Sequence, residues 1–105
     1  MTALPLVGFV ALSSALFAVG LFGILTRRNF ILLLIAIEIA MNAAILNFVY
    51  FGAFRGGVAG LTGQAVAVVL IGFAATEVAV GLAIVLALNR LKGTINVAQA
   101  TELKL

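Results

Sequence analysis

The segment FILLLIAIEIAMNAAILNFVYF, residues 30–51, decides the fold because it is long, apolar and almost free of charge. Glu38 is the one charged side chain in it. A helix needs about 20 predominantly apolar residues to cross the hydrocarbon core of a bilayer. The segment therefore predicts a membrane-spanning helix, with Arg27 and Arg28 before it and Arg55 after it.

Two further segments, at about residues 4–25 and 61–88, have the same character. The first contains no charged residue, and the second contains only Glu77. Neither alternates polar with apolar residues as membrane strands do, and the first lacks the basic start and short apolar run of a signal peptide. The sequence thus predicts an all-α membrane protein: one unit of three transmembrane helices, followed by a polar tail over residues 89–105.

The composition of the 105 residues excludes most soluble functions. Hydrophobic residues make up 66% of the chain and charged residues 9%, whereas about a quarter of a typical soluble domain is charged. The chain has no Cys and no His, so we expect it to bind no metal and to form no disulfide. Its six basic residues are scattered beside apolar spans, which argues against nucleic-acid binding.

The positions of the basic residues predict the orientation in the membrane. With three spans, the N-terminus and the second loop share one side, which holds only Arg55. The first loop and the tail share the other side. Its basic residues are Arg27, Arg28, Arg90, Lys92 and Lys104. Because Lys and Arg concentrate in cytoplasmic segments, we expect the N-terminus outside and the C-terminus in the cytoplasm.

Glu38 and Glu77 are the residues that point to chemistry. An ionisable side chain in the middle of a membrane costs about 2.5–3.5 kcal/mol on insertion scales. Glu38 lies ten residues after Arg28 and Glu77 thirteen before Arg90, or about 15 and 20 Å at the rise of a helix. Both carboxyls are therefore predicted near the bilayer centre at similar depth. Two such groups without an internal cation are typical of a proton relay.

Polar neighbours of these glutamates are weaker candidates. Asn42 follows Glu38 by one helical turn, so it is placed to bond the carboxyl or a water, although packing explains it equally well. By the same spacing, a carboxyl moved from position 38 to position 42 is expected to restore part of a relay. Thr76 is expected to bond its own helix backbone. Arg27 and Arg28 are most simply explained as topology anchors.

Small residues predict how the helices approach one another. Ser13 and Gly20 share a face of the first helix because they are seven residues apart. We expect four-residue stripes to serve the same purpose on the other two helices. These stripes are Ala36, Ala40 and Ala44, and Ala75, Ala79 and Ala83.

The two glutamate segments resemble a known family. EIAMNAAILNFV, residues 38–49, and AATEVAVGLAI, residues 74–84, are similar to the second and third helices of subunit K, or chain 4L, of proton-translocating NADH:quinone oxidoreductase (respiratory complex I). The basic Arg27–Arg28 loop, the dipeptide Gly63–Gln64 and the short tail also match, so the resemblance covers essentially the whole chain. Ile45 and Gly72 stand where that family commonly has Asn and Thr.

The resemblance implies a function for the whole chain. It implies a non-redox subunit of the membrane arm of the enzyme, a translocase of the cell inner (plasma) membrane, with Glu38 and Glu77 in a mid-membrane proton path. It also assigns Arg27 and Arg28 to the basic loop of the family. NADH, flavin, iron–sulfur clusters and quinone are then held by other subunits, which are the partners of this chain.

Other membrane proteins compete with this interpretation. The related C-type subunit of a multisubunit sodium/proton antiporter has a similar layout and remains the alternative. Small multidrug exporters have four spans with their glutamate in the first, and the first span here is uncharged. A rotor-ring subunit of the ATP synthase has two spans. A purely structural assembly subunit would leave both glutamates unexplained.

Overall fold

Three long helices make up the part of the chain that is described. The computed structural model describes residues 3–92 together with residues 96 and 97. Helix α1 runs over Ala3–Thr26, α2 over Phe30–Arg55 and α3 over Gly57–Lys92. Each is long and apolar enough to cross a membrane, which confirms the prediction of an all-helical protein with three spans.

Helix α2 lies between the other two helices. α1 and α3 each pack along α2 rather than against each other, and the resulting layer measures 55 × 24 × 16 Å. On the α1 side, the ring centroids of Phe9 and Tyr50 are 4.1 Å apart. On the α3 side, Gly52 lies directly against Gly60. α2 therefore contributes to both interhelical interfaces of the protein.

Small residues allow α1 and α2 to come into close contact. Ser13 and Gly20 are both buried, which confirms the predicted face of α1. A Cβ atom on Gly20 would lie 2.7 Å from the backbone nitrogen of Ala40 and 2.8 Å from the carbonyl oxygen of Ala36. The predicted stripe is only partly correct, because Ala44 is exposed and Ala43 is buried instead. Seven-residue steps hold one side of a helix, whereas successive four-residue steps drift around it by about 40° each.

Helix α3 follows the same seven-residue rule. Four residues that meet α2 or are buried on its side recur at every seventh position: Gly60, Ala67, Ala74 and Gly81. A Cβ atom on Gly60 would lie 2.6 Å from the carbonyl oxygen of Gly52. The predicted stripe of Ala75, Ala79 and Ala83 is exposed and does not make the contact with α2. The alanine stripe of α3 is thus available to other proteins or lipid.

The second connection is shorter than the sequence suggests. α2 continues to Arg55 and α3 begins at Gly57, so Gly56 alone joins the two helices instead of the expected loop over residues 52–60. Gly56 has φ 67° and ψ 171°, and Gly57 has φ 57°. Residues with a Cβ rarely adopt such conformations. These two glycines therefore let the chain reverse in one step.

The first connection lies beside the start of the tail. The side-chain oxygen of Asn29 caps α2 by accepting hydrogen bonds from the amides of Ile31 and Leu32, at 2.8 and 3.3 Å. The amide of Val97 donates to the carbonyl oxygen of Arg28 at 2.6 Å, and Asn29 and Asn96 form an antiparallel bridge. The first loop and this part of the tail thus share one end of the layer, as three spans require. Other predictions for the tail, including the place of Lys104, lie outside the described residues.

Candidate functional site

Glu38 on α2 and Glu77 on α3 line one groove between these helices. The groove contains a cavity of about 440 Å³. Apart from Thr76, the side chains that line it beside the two glutamates are apolar or absent. These other lining residues are Leu34, Ile37, Thr76, Val78, Val80, Gly81 and Ile84. The structure therefore brings the two mid-span carboxyl groups into a single, largely apolar space.

The packing register explains why the two glutamates are level. The side chain of Leu34 contacts Gly81. Because α2 and α3 are antiparallel, four residues forward from Leu34 correspond to four residues back from Gly81. These steps lead from the Leu34–Gly81 contact to Glu38 and Glu77. The sequence-based expectation of similar depth agrees with this register.

The surroundings of the two carboxyl groups differ. Glu38 is half-buried, whereas Glu77 is exposed. Glu38 also lines a second groove of about 270 Å³, together with Ile35, Ile39 and Leu82, so it borders open space in two directions. Within residues 3–92, 96 and 97, neither carboxyl group forms an ion pair or a hydrogen bond. Both are therefore free to bond water or a group of another protein.

Thr76 lies in the cavity but uses its hydroxyl hydrogen elsewhere. Its Oγ1 donates to the carbonyl oxygen of Phe73 at 2.7 Å, as the sequence predicts. A hydroxyl oxygen keeps its lone pairs when it donates. Thr76 can thus accept a hydrogen bond from water beside Glu77, while its own hydroxyl hydrogen is bound to the backbone.

The supporting residues from the sequence lie away from this cavity. Asn42 is exposed, does not line the cavity and makes no side-chain hydrogen bond in the described part of the chain. Arg27 and Arg28 are exposed in the first loop, and Arg27 borders a separate groove of about 170 Å³ between α1 and α2. The geometry therefore joins Glu38 with Glu77 and leaves the other three apart.

Sequence reasoning missed the importance of Leu34. Leu34 borders both grooves that Glu38 borders, and its side chain rests on Gly81. The signal was available in the spacing, because Leu34 precedes Glu38 by one turn and Gly81 follows Glu77 by one turn. If Glu38 and Glu77 lie at the same depth in antiparallel helices, then Leu34 and Gly81 lie at the same depth too.

Three apolar helices of membrane length and two carboxyls in one interhelical groove define a small multi-pass membrane protein with ionisable groups inside its spans. Residues 8–105 match the family described as NADH-ubiquinone/plastoquinone oxidoreductase chain 4L. The chain belongs to this family, so it is a homologue of a subunit of an NADH:quinone oxidoreductase complex.

Individual relatives agree with the family match over nearly their whole length. NADH-quinone oxidoreductase subunit K of Anaeromyxobacter dehalogenans is 43% identical over 100 residues, which cover 95% of this chain and 98% of the relative. Subunit K of Bacillus anthracis is 43% identical over 104 residues, or 99% of each chain. Subunit K 1 of Symbiobacterium thermophilum is 45% identical over 105 residues, or all of both chains.

Proposed function

We propose that this chain is a membrane-arm subunit of a proton-translocating NADH:quinone oxidoreductase and that Glu38 and Glu77 carry protons through the middle of the membrane. The observation that supports this most directly is the single cavity lined by both carboxyl groups at one level. The family membership supplies the enzyme. The subunit K relatives favour this function over that of an antiporter subunit.

The cavity has the properties that proton transfer between carboxyl groups needs. A protonated carboxyl donates through its O–H, and an ionised carboxyl accepts at either oxygen. Each glutamate can therefore take a proton from one neighbour, give it to the next and return to its starting state without any electron transfer. Liquid water takes about 30 Å³ per molecule, so the cavity of about 440 Å³ has room for a bridging water chain.

In this proposal, other subunits of the complex carry out the redox chemistry. NADH, flavin, iron–sulfur clusters and quinone would be bound elsewhere in the complex, because the sequence lacks the Cys and His ligands common at redox centres. The contribution of this chain is then a proton-conducting segment in the inner (plasma) membrane. Its coupling to quinone reduction would pass through contacts with neighbouring membrane-arm subunits.

Assembly with other subunits is the first testable expectation. Glu77 is exposed on this chain alone, and an ionisable group facing lipid is costly. We therefore expect a tagged chain, extracted from native membranes in mild detergent, to be recovered in a large complex that oxidises NADH with quinone as acceptor. Recovery as a folded monomer, without NADH:quinone activity, would contradict the proposal.

The orientation of the chain gives a second expectation. The positive-inside rule places the Arg27–Arg28 loop and the tail in the cytoplasm and Arg55 outside. Because the chain has no native Cys, Thr101→Cys and Ala59→Cys can each be labelled alone with a membrane-impermeant maleimide. We expect Ala59→Cys to react from the outside of intact cells and Thr101→Cys to react only in inverted vesicles. The opposite pattern would reverse the orientation.

A further inference from the structure

We propose that Gly81 is a positioning residue: the space left by its missing side chain holds Leu34 away from Glu38 and so keeps the volume around Glu38 open to water. The inference rests on the proposed proton path. Leu34 and Gly81 both line the cavity that holds the two glutamates. Neither residue carries a proton, so their effect would be on the water that does.

The contact between Leu34 and Gly81 leaves no room for a larger residue at position 81. A Cβ atom there would lie 3.0 Å from Cδ1 and 3.2 Å from Cγ of Leu34, and closer still to Cδ2. All three atoms belong to the Leu34 side chain, and no backbone atom is among them. Since side chains change rotamer more easily than packed helices separate, Gly81→Ala would displace Leu34 and leave the helix axes in place.

The displaced side chain would end beside Glu38 in either direction. Leu34 borders the cavity of about 440 Å³ on one side and the groove of about 270 Å³ on the other. Glu38 borders both spaces as well and follows Leu34 by one helical turn. An isobutyl group moved into either space therefore takes up volume next to the Glu38 carboxyl. Water excluded there can no longer bridge the two carboxyl groups.

Helix α3 provides a matched control for the same chemical change. A Cβ atom on Gly72 would meet no atom within 4 Å. Gly72→Ala therefore adds the same methyl group to the same helix without touching Leu34. The activity of Gly72→Ala therefore shows how much a Gly-to-Ala substitution in α3 costs where the added methyl group contacts no other residue of the chain.

The experiment compares these variants in the assembled complex. We expect Gly81→Ala to lower NADH oxidation and membrane-potential formation together by about tenfold, below the usual cost of removing a proton-transfer group outright. Leu34→Ala/Gly81→Ala is expected to return to within about twofold of the native rate, because the shorter alanine side chain at position 34 lacks the displaced atoms. The solvent deuterium isotope effect on NADH oxidation should rise in Gly81→Ala and return to the native value in the double variant.

A second substitution tests the same point if Gly81→Ala does not assemble. Leu34→Phe with Gly81 intact places a larger side chain in the space beside Glu38, and we expect a similar loss of activity with normal complex content on a native gel. Native activity in either assembled variant, or no recovery in the double variant, overturns the inference. If glutamine at positions 38 and 77 abolishes pumping while Gly81→Ala behaves like Gly72→Ala, this inference fails alone and the proposed function stands.

Discussion

Glu38→Gln is expected to lower NADH oxidation and proton pumping together by about a hundredfold, which is within the usual contribution of a positioned proton-transfer group. Glutamine keeps the shape of glutamate and most of its hydrogen-bonding capacity, but it cannot take up and release a proton. If Glu38 only packed α2 against its neighbours, the substitution would be nearly silent. The joint loss is expected because coupled electron transfer stops when its proton path is blocked.

Glu77→Gln is expected to act in the same direction with a smaller loss, about tenfold, because part of its transfer step can be taken over by water or a partner group. The reason is the difference in position. Glu77 is exposed on this chain, so other groups can reach the same space, whereas Glu38 is half-buried and borders both grooves. Glu38→Asp, which keeps an ionisable carboxyl, should retain more activity than Glu38→Gln.

The measurement is NADH oxidation and membrane-potential formation in inverted membrane vesicles, with the content of complex determined on a native gel. Glu102→Gln is the matched control, since it makes the same chemical change in the tail, outside all three spans. Full activity and full pumping in the double variant Glu38→Gln/Glu77→Gln would reject the proton path. The two carboxyl groups would then be packing residues.

The number of spans and the level of the glutamates follow from the sequence for a physical reason. Lipid excludes charge, so the arginines around residues 30–51 fix where α2 leaves the membrane. Counting residues from such fixed ends gives depth, because the rise of a helix is constant. The Leu34–Gly81 contact agrees with the level predicted for Glu38 and Glu77 in this way.

The sequence did not predict how each helix is rotated about its own axis. In a soluble protein the polar face of a helix shows which side is exposed, but these spans contain too few polar residues to mark one side. The choice between Ala43 and Ala44 for the α1 interface, or between Ala74 and Ala75 for the α2 interface, depends on close packing of small residues. That packing buries Ala43 and Ala74 and leaves their neighbours exposed.

The role of Gly56 and Gly57 was also hidden in the sequence. A run of glycines between two apolar segments is typical of a loop, yet only Gly56 lies between the helices. Gly60 belongs to α3 because its missing side chain admits the backbone of Gly52. The same residue type thus serves chain reversal at one position and helix contact four residues later.

Moving the carboxyl from position 38 to position 42 is expected to leave the complex inactive. The four-residue spacing on its own predicts that Glu38→Gln/Asn42→Glu recovers part of the activity lost in Glu38→Gln. The structure reverses that expectation, because Asn42 is exposed and does not line the cavity of Glu77. Asn42 follows Ile35 by seven residues, so it lies on the side of α2 that borders the groove of about 270 Å³.

The expected NADH oxidation rate of Glu38→Gln/Asn42→Glu is within about twofold of the rate of Glu38→Gln alone, since distance and direction decide whether a carboxyl can transfer a proton. Asn42→Gln in the native background controls for the loss of Asn42 and should keep native activity. Both are measured in vesicles with the complex content checked on a native gel. Substantial recovery of NADH oxidation in the assembled double variant would mean that the proton path runs along the Asn42 side of α2. The cavity that Glu38 shares with Glu77 would then not be the route between the two glutamates.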